Sequence, residues 1–457
     1  MKHRRALVVG LGRFGGGLGA TRWLAAQGAR VTVTDPASAE DLAESVAALA
    51  PLVRSGAVEL ALGGHREADF EQAELVVANP AVRPDSPWLE RARAAGARVT
   101  SEIGLFLERC PARVVGITGT QGKSSTTTFL TQLLAGNGFE ARSGGNLGGS
   151  VLEGLEQLHA GQVIVLELSS YQLEALEHPP RLAQRASAVA VTNLLPDHLE
   201  RHGTLEAYGA AKARVLELLG DDPEGLAWLP ESGPCAEWSP VGPRVRRHGP
   251  GSSSGLHGAR LVAAGQDFGA LDDLGLAPFQ GHNVALALAL ALDLGADPER
   301  LAAGLPHLTA PAHRREDLGG IAGRHVYDNG VSTTPDSTLA ALEGLPRGAT
   351  ALIGGRSKGL DWLPLGQALA SRGDRVVAFG ADGGEVAAGL GAAGVPVETV
   401  ATVGEAVARA LALTPQGATI LFSPACASFD AYANFAQRAA DFRNHLDRLG
   451  RDDCTRD

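Results

Sequence analysis

Gly116-Ile-Thr-Gly119-Thr-Gln-Gly122-Lys123-Ser124-Ser125 is the stretch that decides the fold. It follows the apolar run Val114-Val-Gly-Ile117 and opens a Ser/Thr-rich segment that we predict to be helical over 124–135. A strand, a glycine-rich loop and a helix in this order predict a phosphate-binding loop, whose backbone N–H groups hold phosphate oxygens. Lys123 would neutralise the β and γ phosphates, and Ser124 would bind Mg²⁺. The loop departs from the strict GxxxxGK[ST] pattern at Ile117, where the first glycine is expected.

Similar alternation of apolar strands and helical segments extends to both sides of this loop. Strands that alternate with helices predict parallel α/β sheets, and 457 residues predict about three domains. We therefore expect a Rossmann-like domain over 1–110, a central P-loop ATPase domain with a parallel sheet over 111–309, and a second Rossmann-like α/β domain over 310–457. Residues 221–258, rich in Pro, Gly and Ser, predict loops and short strands. The Ala-Leu run after Asn283 predicts a buried helix.

Composition excludes several classes of protein. The formal net charge of −11 argues against a nucleic-acid coat and against a polybasic membrane surface. The longest apolar run, Val284–Leu292, has about half the ~20 residues that span a bilayer. Four widely spaced cysteines without a CxxC pair fit neither a zinc site nor a disulfide scaffold: Cys110, Cys235, Cys426 and Cys454. We expect a soluble, cytoplasmic and monomeric protein that binds no nucleic acid and does not insert into membranes.

Lysine is scarce. Of the 40 lysines and arginines, the lysines are Lys2, Lys123, Lys212 and Lys358. A lysine retained against such a bias indicates a role that a guanidinium cannot fill.

A second glycine motif, Gly10-Leu-Gly12-Arg13-Phe14-Gly15, lies between an apolar strand and a helix. Asp35 closes the next strand, where a ribose-binding carboxylate is expected. An ordinary βα turn is the alternative. The motif alone suggests NAD but does not separate NAD from other nucleotides that contain a diphosphate.

Glu167 ends the apolar run Val163-Ile-Val-Leu166. A carboxylate at a strand end that faces a phosphate loop is a candidate Mg²⁺ ligand. The alternative is a solvated glutamate in a turn, but the four apolar residues before it favour a site that opens from the core.

Thr118-Gly-Thr-Gln-Gly-Lys-Ser124 resembles the ATP loop of the Mur ligases, in which Asn more often stands at Gln121. These enzymes add amino acids to the peptidoglycan precursor, and the resemblance continues in order along nearly the whole chain. It implies three domains that bind UDP, ATP and the amino acid. The first glycine motif would then hold UDP and not NAD.

The resemblance also implies a role for individual residues. Contacts to the UDP substrate fall on Gly12, Arg13, Phe14, Gly15, Asp35, Asn79, Asn146, Ser169 and Gln172. Contacts to ATP fall on Gly119, Thr120, Gln121, Gly122, Lys123, Ser124, Ser125, Asn283, His313, Arg314 and Asn329. Two Mg²⁺ ions would be held by Ser124, Glu167, His198 and Lys212. Contacts to glutamate fall on Thr333, Lys358, Ser428 and Phe435, and the catalytic set is Lys123, His198, Lys212 and Lys358.

Lys212 matches a lysine that is carbamylated by CO₂ in this family. Carbamylation needs a free amine and converts a cation into a bidentate anion that can help to hold Mg²⁺. A surface lysine on an Ala-rich helix is the alternative. His198 resembles a ligand of the second Mg²⁺, and Asp197 would orient its ring.

One stretch departs from the family pattern. Members commonly have Asp-Ser-Lys-Ala-Thr-Asn where this chain has Tyr327-Asp-Asn-Gly-Val-Ser-Thr-Thr334. In an ungapped alignment the family lysine becomes Val331, its nucleotide-binding aspartate becomes Asn329, and Thr333 contacts glutamate. A shift of one residue makes Asp328 that aspartate instead.

The implied reaction is ATP-dependent addition of D-glutamate to UDP-N-acetylmuramoyl-L-alanine through an acyl phosphate. L-Glutamate as the added amino acid and a folylpolyglutamate-type ligase are alternatives within the class. An NAD-dependent oxidoreductase and a nucleotide-regulated binding protein are alternatives from other classes. The sequence identifies no general base for the attacking amine.

Overall fold

The computed structural model describes residues 2–12 and 15–453, with the backbone alone over 450–453. These residues form two compact units. The first comprises the chain up to Leu274 together with His282–Leu308, and the second comprises Gly275–Gly281 and the chain from Thr309 onward. Arg13, Phe14 and Cys454 lie outside the described residues. Among the described helices, none is both long enough and apolar enough to cross a bilayer.

The first unit opens with a parallel sheet. Its strands are β1 (Arg5–Val9), β2 (Arg30–Asp35), β3 (Val58–Leu62), β4 (Leu75–Ala78) and β5 (Arg98–Thr100). Its helices are α1 (Gly16–Ala26), α2 (Ala43–Arg54), α3 (Glu67–Gln72), α4 (Pro87–Ala94) and α5 (Glu102–Leu107). The strand order is β3-β2-β1-β4-β5. Because Val9 pairs with both Thr34 and Ala78, the residues that follow these three strands meet at one edge.

A second parallel sheet follows in the same unit. Its strands are β6 (Arg113–Thr118), β7 (Ala141–Gly145), β8 (Val163–Glu167), β9 (Ala188–Val191), β10 (Leu226–Pro230) and β11 (Arg244–His248), in the order β11-β10-β9-β6-β8-β7. Its helices are α6 (Lys123–Gly136), α7 (Ser170–Glu174), α8 (Leu199–His202), α9 (Leu205–Ala213), α10 (Gln280–Asp293) and α11 (Pro298–Gly304). Ile117 pairs with Glu167, and Thr118 pairs with Val191. The phosphate loop and Glu167 therefore lie at one edge.

The weakly patterned stretch 221–258 contributes strands to this sheet, since β10 and β11 extend it in parallel. A small antiparallel sheet follows, made of β12 (Gly255–His257), β13 (Arg260–Ala263) and β14 (Gln266–Ala270). The Ala-Leu run after Asn283 forms α10, and Val284–Ala291 within it is completely buried. The predicted buried helix is confirmed.

The second unit contains a six-stranded sheet. Its strands are β15 (Glu316–Ile321), β16 (Arg324–Asp328), β17 (Thr350–Gly354), β18 (Arg375–Phe379), β19 (Val397–Thr399) and β20 (Thr419–Ala425), in the order β15-β16-β20-β17-β18-β19. Its helices are α12 (Pro335–Leu342), α13 (Leu363–Arg372), α14 (Gly383–Gly391), α15 (Val403–Leu413) and α16 (Phe435–Asp453). The pairing of β15 with β16 is antiparallel, and the other pairings are parallel. The predicted α/β class with three largely parallel sheets is confirmed.

Aromatic stacking anchors α16 to this sheet. The Phe442 ring lies parallel to the Phe422 ring of β20, with 4.1 Å between the ring centroids, and both side chains are buried. Truncation would leave a cavity between the helix and the sheet, because packed cores collapse only in part.

We expect Phe442→Ala to lower the stability of the second unit by about 3–5 kcal/mol. Phe429→Ala removes a ring that is 71% exposed and should change stability little. Urea unfolding followed by circular dichroism measures both variants. Equal midpoints for the two variants would contradict the anchoring role of the stacked pair.

Candidate active site

Two glycines shape the predicted phosphate loop between β6 and α6. Gly119 and Gly122 have φ angles of 141° and 81°, which residues other than glycine rarely adopt. A Cβ on Gly119 would overlap the Thr192 hydroxyl, and a Cβ on Gly122 would overlap the Asn283 carboxamide. The loop is thus closed tightly over the start of α6, whose first backbone N–H groups have no partner within the helix.

The segment after β9 braces this loop. The Asn193 carbonyl accepts from the Thr120 N–H at 3.0 Å, and its Oδ1 accepts from the Gln121 N–H at 3.0 Å. Thr192 Oγ1 donates to the Gln121 carbonyl at 2.5 Å. The sequence reasoning missed Thr192 and Asn193. A signal was available, because both follow a buried strand that is parallel to β6.

Lys123 folds back across the loop. Its Nζ donates to the carbonyls of Gly119 at 3.0 Å and Thr120 at 2.8 Å. Ser124 and Ser125, in the first turn of α6, are buried at 5% and 3% exposure. This arrangement suits a nucleotide phosphate, because a cation and helix N–H groups both favour negative charge there.

Lys212, on α9, contacts the same loop although it lies 93 residues after Gly119 in the sequence. Its Nζ donates to the Gly119 carbonyl at 2.7 Å and lies 4.5 Å from the Tyr208 ring centroid. The side chain is buried at 1% exposure. Burial, with the positive charge of Lys123, lowers the pKa of Lys212 to about 6. This amine is therefore neutral and nucleophilic near pH 7.

Glu167 presents a buried carboxylate at the adjacent strand end. Its Oε1 accepts from Asn146 Nδ2 at 2.9 Å, and its Oε2 is buried without a hydrogen-bond partner. A Cβ on Gly145 would overlap the Glu167 carbonyl, so this glycine permits the close approach of β7. An unpaired buried carboxylate oxygen is the chemistry that a hard cation satisfies.

His198 lies just before α8 with a φ of 52°. Its side chain is 40% exposed, and its Nδ1 and Nε2 lie 3.5 Å from Glu200 Oε1 and Asp197 Oδ2. The Tyr171 hydroxyl is also 3.5 Å from Nδ1. Asp197 makes its shorter contact with the backbone, because its Oδ1 accepts from the His198 N–H at 2.9 Å.

The N-terminal glycine turn is built around Asp35. Its Oδ2 accepts from the N–H groups of Leu11 at 2.8 Å and Gly12 at 3.3 Å, and its Oδ1 accepts from Ala37 N–H at 2.9 Å. Asn79 lies against Gly10 and Gly12 from the end of β4. Gly15, with a φ of 91°, caps α1. The structure thus brings Gly12, Asp35 and Asn79 together, and Gly15 lies at the start of the helix that follows.

Ser169 and Gln172 each accept a hydrogen bond from the other's backbone N–H at the start of α7. The Ser169 hydroxyl accepts from the Gln172 N–H at 3.2 Å, and Gln172 Oε1 accepts from the Ser169 N–H at 3.0 Å. This capping box begins two residues after Glu167. Both predicted substrate residues therefore also have a structural role.

In the second unit, His313 and Asp328 belong to an ionic cluster. His313 Nδ1 lies 2.7 Å from Asp328 Oδ2, and Arg443 pairs with the carboxylates of both Asp328 and Glu316 at 2.7 and 2.5 Å. His313, Glu316 and Asp328 form a group of metal-ligand type. The Arg443 guanidinium bonds both carboxylates, so these side chains already have a cationic partner in the structure.

Asn329 and Arg314 lie beside this cluster. Asn329 is buried at 4% exposure, its Nδ2 donates to Ser423 Oγ at 2.9 Å and its Oδ1 accepts from Arg315 N–H at 3.1 Å. The Arg314 carbonyl accepts from Gln280 Nε2 at 3.2 Å. These contacts fix the turn after β16.

The predicted glutamate residues follow β16, β17 and β20, whose ends meet because Asp328 pairs with Phe422 and Gly354 pairs with Ala425. Lys358 is exposed, Ser428 is buried, Thr333 is half-buried and Phe435 is 37% exposed. Sequence reasoning missed Arg438, which is completely buried. Its guanidinium joins the three loops by donating to the carbonyls of Gly330, Ser332, Gly354 and Cys426.

A glycine loop between a parallel strand and a helix, with a lysine folded over it, defines a nucleotide-dependent enzyme of the P-loop class. Three family models match the chain: "Mur ligase MurD-like, N-terminal domain" over residues 4–101, "Mur ligase middle domain" over 117–236, and "Mur ligase, glutamate ligase domain" over 313–426. The chain belongs to the Mur ligase family, which comprises ATP-dependent ligases of peptidoglycan precursor synthesis.

Similar proteins extend over the full chain. UDP-N-acetylmuramoylalanine–D-glutamate ligase of Symbiobacterium thermophilum is 33% identical over 98% of both chains. The ligase of the same name from Nitrosococcus oceani is 35% identical over 96% of this chain and 95% of its own. Two solved structures share the fold, both from Thermotoga maritima. UDP-N-acetylmuramate-alanine ligase MurC has a TM-score of 0.60 at 17% identity, covering 98% and 100% of the two chains. MurF in complex with ADP has a TM-score of 0.56 at 16% identity, covering 84% and 99%.

We expect Gly122→Ala to weaken ATP binding at least about tenfold, because the new methyl group is strained at positive φ and overlaps Asn283. Gly136→Ala is the matched control in the last turn of α6, where the Cβ position faces open space. It should leave ATP binding unchanged and stabilise the helix by about 0.5–1 kcal/mol. Titration calorimetry with ATP compares the two. Wild-type affinity in Gly122→Ala would contradict the loop assignment.

Proposed function

We propose that this chain joins the terminal carboxylate of UDP-N-acetylmuramoyl-L-alanine to the amine of D-glutamate, with hydrolysis of ATP to ADP and phosphate. The observation that carries the proposal is the pair of lysines, Lys123 and Lys212, that converge on the Gly119 carbonyl in the phosphate loop. Relatives of similar length with about 33% identity support the choice of substrates.

The chemistry begins with an unreactive acid. A carboxylate repels nucleophiles, and an oxide ion is a poor leaving group. Attack of the carboxylate oxygen on the γ-phosphorus of ATP forms the acyl phosphate and releases ADP. The amine of glutamate then attacks the acyl carbon, loses a proton, and the tetrahedral intermediate expels phosphate to leave the amide. The residues therefore have to hold charge on the transferring phosphoryl group and to exclude water.

Lys123 and the start of α6 carry the first of these tasks. The Lys123 ammonium bonds two loop carbonyls, so it lies over the proposed phosphate position. The first-turn N–H groups of α6 add a positive field at the same place. Neither group has to be reorganised far when the phosphate charge shifts during transfer.

Magnesium fits the acidic side of the loop. Glu167 offers the buried unpaired Oε2, Ser124 lies in the first turn of α6, and the His198 ring is accessible. Two Mg²⁺ ions would be held by the set Ser124, Glu167, His198 and carbamylated Lys212. When bound, Mg²⁺ would supply charge neutralisation to the phosphate oxygens.

The surroundings of Lys212 support the proposed carbamylation. A neutral buried amine can attack CO₂, forming an N–C bond and releasing one proton, and the product is an anion that suits a cation beside Glu167. The low pKa of Lys212 near 6 keeps the amine unprotonated. An arginine could not replace it.

The remaining predicted residues are assigned to the three substrates. The uridine diphosphate is held by Gly12, Arg13, Phe14, Gly15, Asp35 and Asn79. The muramoyl end of the substrate is held by Asn146, Ser169 and Gln172. ATP is bound by Gly119–Ser125, Asn283, His313, Arg314 and Asn329. Thr333, Lys358, Ser428 and Phe435 bind glutamate. Domain boundaries near residues 110 and 310 belong to the same proposal.

A monomer in the cytoplasm is also part of the proposal. The cytoplasmic location is supported by the described cysteines Cys110, Cys235 and Cys426, which are buried free thiols, as expected in a reducing compartment.

Phosphate release tests the proposed function. With UDP-N-acetylmuramoyl-L-alanine and ATP present, we expect D-glutamate to stimulate release and L-glutamate to give little. Stimulation by L-glutamate alone would overturn the proposed specificity for D-glutamate. No stimulation by any amino acid would overturn the proposed ligase reaction. NAD binding at the N-terminal turn without ATP turnover would favour the oxidoreductase alternative.

We expect Lys212→Ala to lower kcat on the order of 100-fold and to recover part of the activity when acetate or formate is added. Lys212→Arg places a permanent positive charge at this position and cannot form a carbamate, so it should be inactive and insensitive to added carboxylates. Steady-state kinetics with and without the carboxylates measures this. Normal activity of Lys212→Arg would refute the carbamate.

A further inference from the structure

Glu102 and Ser150 form a contact between the first two sheets that the proposed reaction does not use. Glu102 is the first residue of α5, and Ser150 follows the loop 144–148 that carries Asn146. One carboxylate oxygen of Glu102 accepts hydrogen bonds from the Ser150 hydroxyl and from the Val151 N–H, the latter at 3.1 Å. The carboxylate thus ties the end of the N-terminal sheet to the loop after β7.

Glycines bring the start of α1 against the same pair. A Cβ on Gly16 would lie 2.7 Å from the other carboxylate oxygen of Glu102, and a Cβ on Gly19 would overlap the Ser150 side chain. A Cβ on Gly15 would lie 3.6 Å from the Gly149 backbone. Because α1 begins directly at the N-terminal glycine turn, the turn and the loop 144–148 meet through Glu102 and Ser150.

The Glu102 side chain is partly withdrawn from water in this position. Burial raises the pKa of Glu102 to about 7, and the hydrogen bonds from Ser150 and Val151 oppose that rise. A polar group removed from water is costly unless its partners are fixed, so the contact selects one arrangement of the two segments.

We propose that Glu102 and Ser150 are positioning residues that fix the spacing between the turn for uridine diphosphate and the loop for the muramoyl end of the substrate. This inference rests on the proposed function, in which one substrate occupies both segments. Two linked binding events reinforce each other only when their sites have the matching spacing. Loss of the contact should therefore weaken the whole substrate more than its UDP fragment.

Titration calorimetry on the full chain tests the proposal with two probes, UDP-N-acetylmuramoyl-L-alanine and UDP alone. We expect Glu102→Ala and Ser150→Ala each to raise the Kd of the whole substrate about tenfold and the Kd of UDP less than about threefold. The double variant should lose no more affinity for the whole substrate than either single variant, because both substitutions remove the same contact. Glu102→Gln keeps an acceptor oxygen for Ser150 and Val151 and should bind both probes within about threefold of the wild type.

Equal losses for the two probes, or unchanged affinity for the whole substrate, would overturn the positioning role. The KM for ATP and the melting temperature of each variant report the integrity of the fold. Should Glu102→Ala not fold, Ser150→Ala carries the test with a single hydroxyl removed. Failure of the wild-type chain to bind the muramoyl substrate while it binds UDP would instead reject the proposed function.

Discussion

The carbonyl oxygen of Gly119 is the acceptor on which the candidate site depends. It takes hydrogen bonds from Lys123 at 3.0 Å and from Lys212 at 2.7 Å, so two amines from distant parts of the chain converge on one backbone atom. The burial of Lys212, with the repulsion between the two amines, lowers the pKa of Lys212 and favours its neutral form. In the proposed function these two hydrogen bonds place a cation for phosphate and a nucleophilic amine at the same loop.

Backbone constraints maintain this geometry. Gly119 and Gly122 adopt positive φ angles that only glycine accepts without strain, and Thr192 and Asn193 hold the loop from the neighbouring strand end. The parallel register of β6 and β8 then brings Glu167 to the same edge. A sheet with this order thus places the glycine loop and a buried carboxylate side by side, as the proposed phosphoryl transfer requires.

The sequence predicted local features well and long-range contacts poorly. The phosphate loop, the strands around it and the buried α10 all carry patterns readable within about fifteen residues. Short strands were expected over 221–258, which contains β12, but β13 and β14 were missed because they are short and lack clear apolar alternation. Asn193 was missed because its partner Gln121 lies 72 residues away, and Arg438 because its partners lie 12 to 108 residues away in three separate loops. The two alignments at Asp328 and Asn329 also stay open, since both residues are buried and bonded.

Transfer of oxygen from the acceptor carboxylate tests the central claim most directly. UDP-N-acetylmuramoyl-L-alanine with both terminal carboxylate oxygens labelled with ¹⁸O would be converted with ATP and D-glutamate, and the released phosphate analysed by mass spectrometry. Activation as an acyl phosphate predicts one ¹⁸O atom in each phosphate and one in the new amide carbonyl. Unlabelled phosphate accompanying amide formation would contradict phosphoryl transfer to the carboxylate at the Lys123 loop.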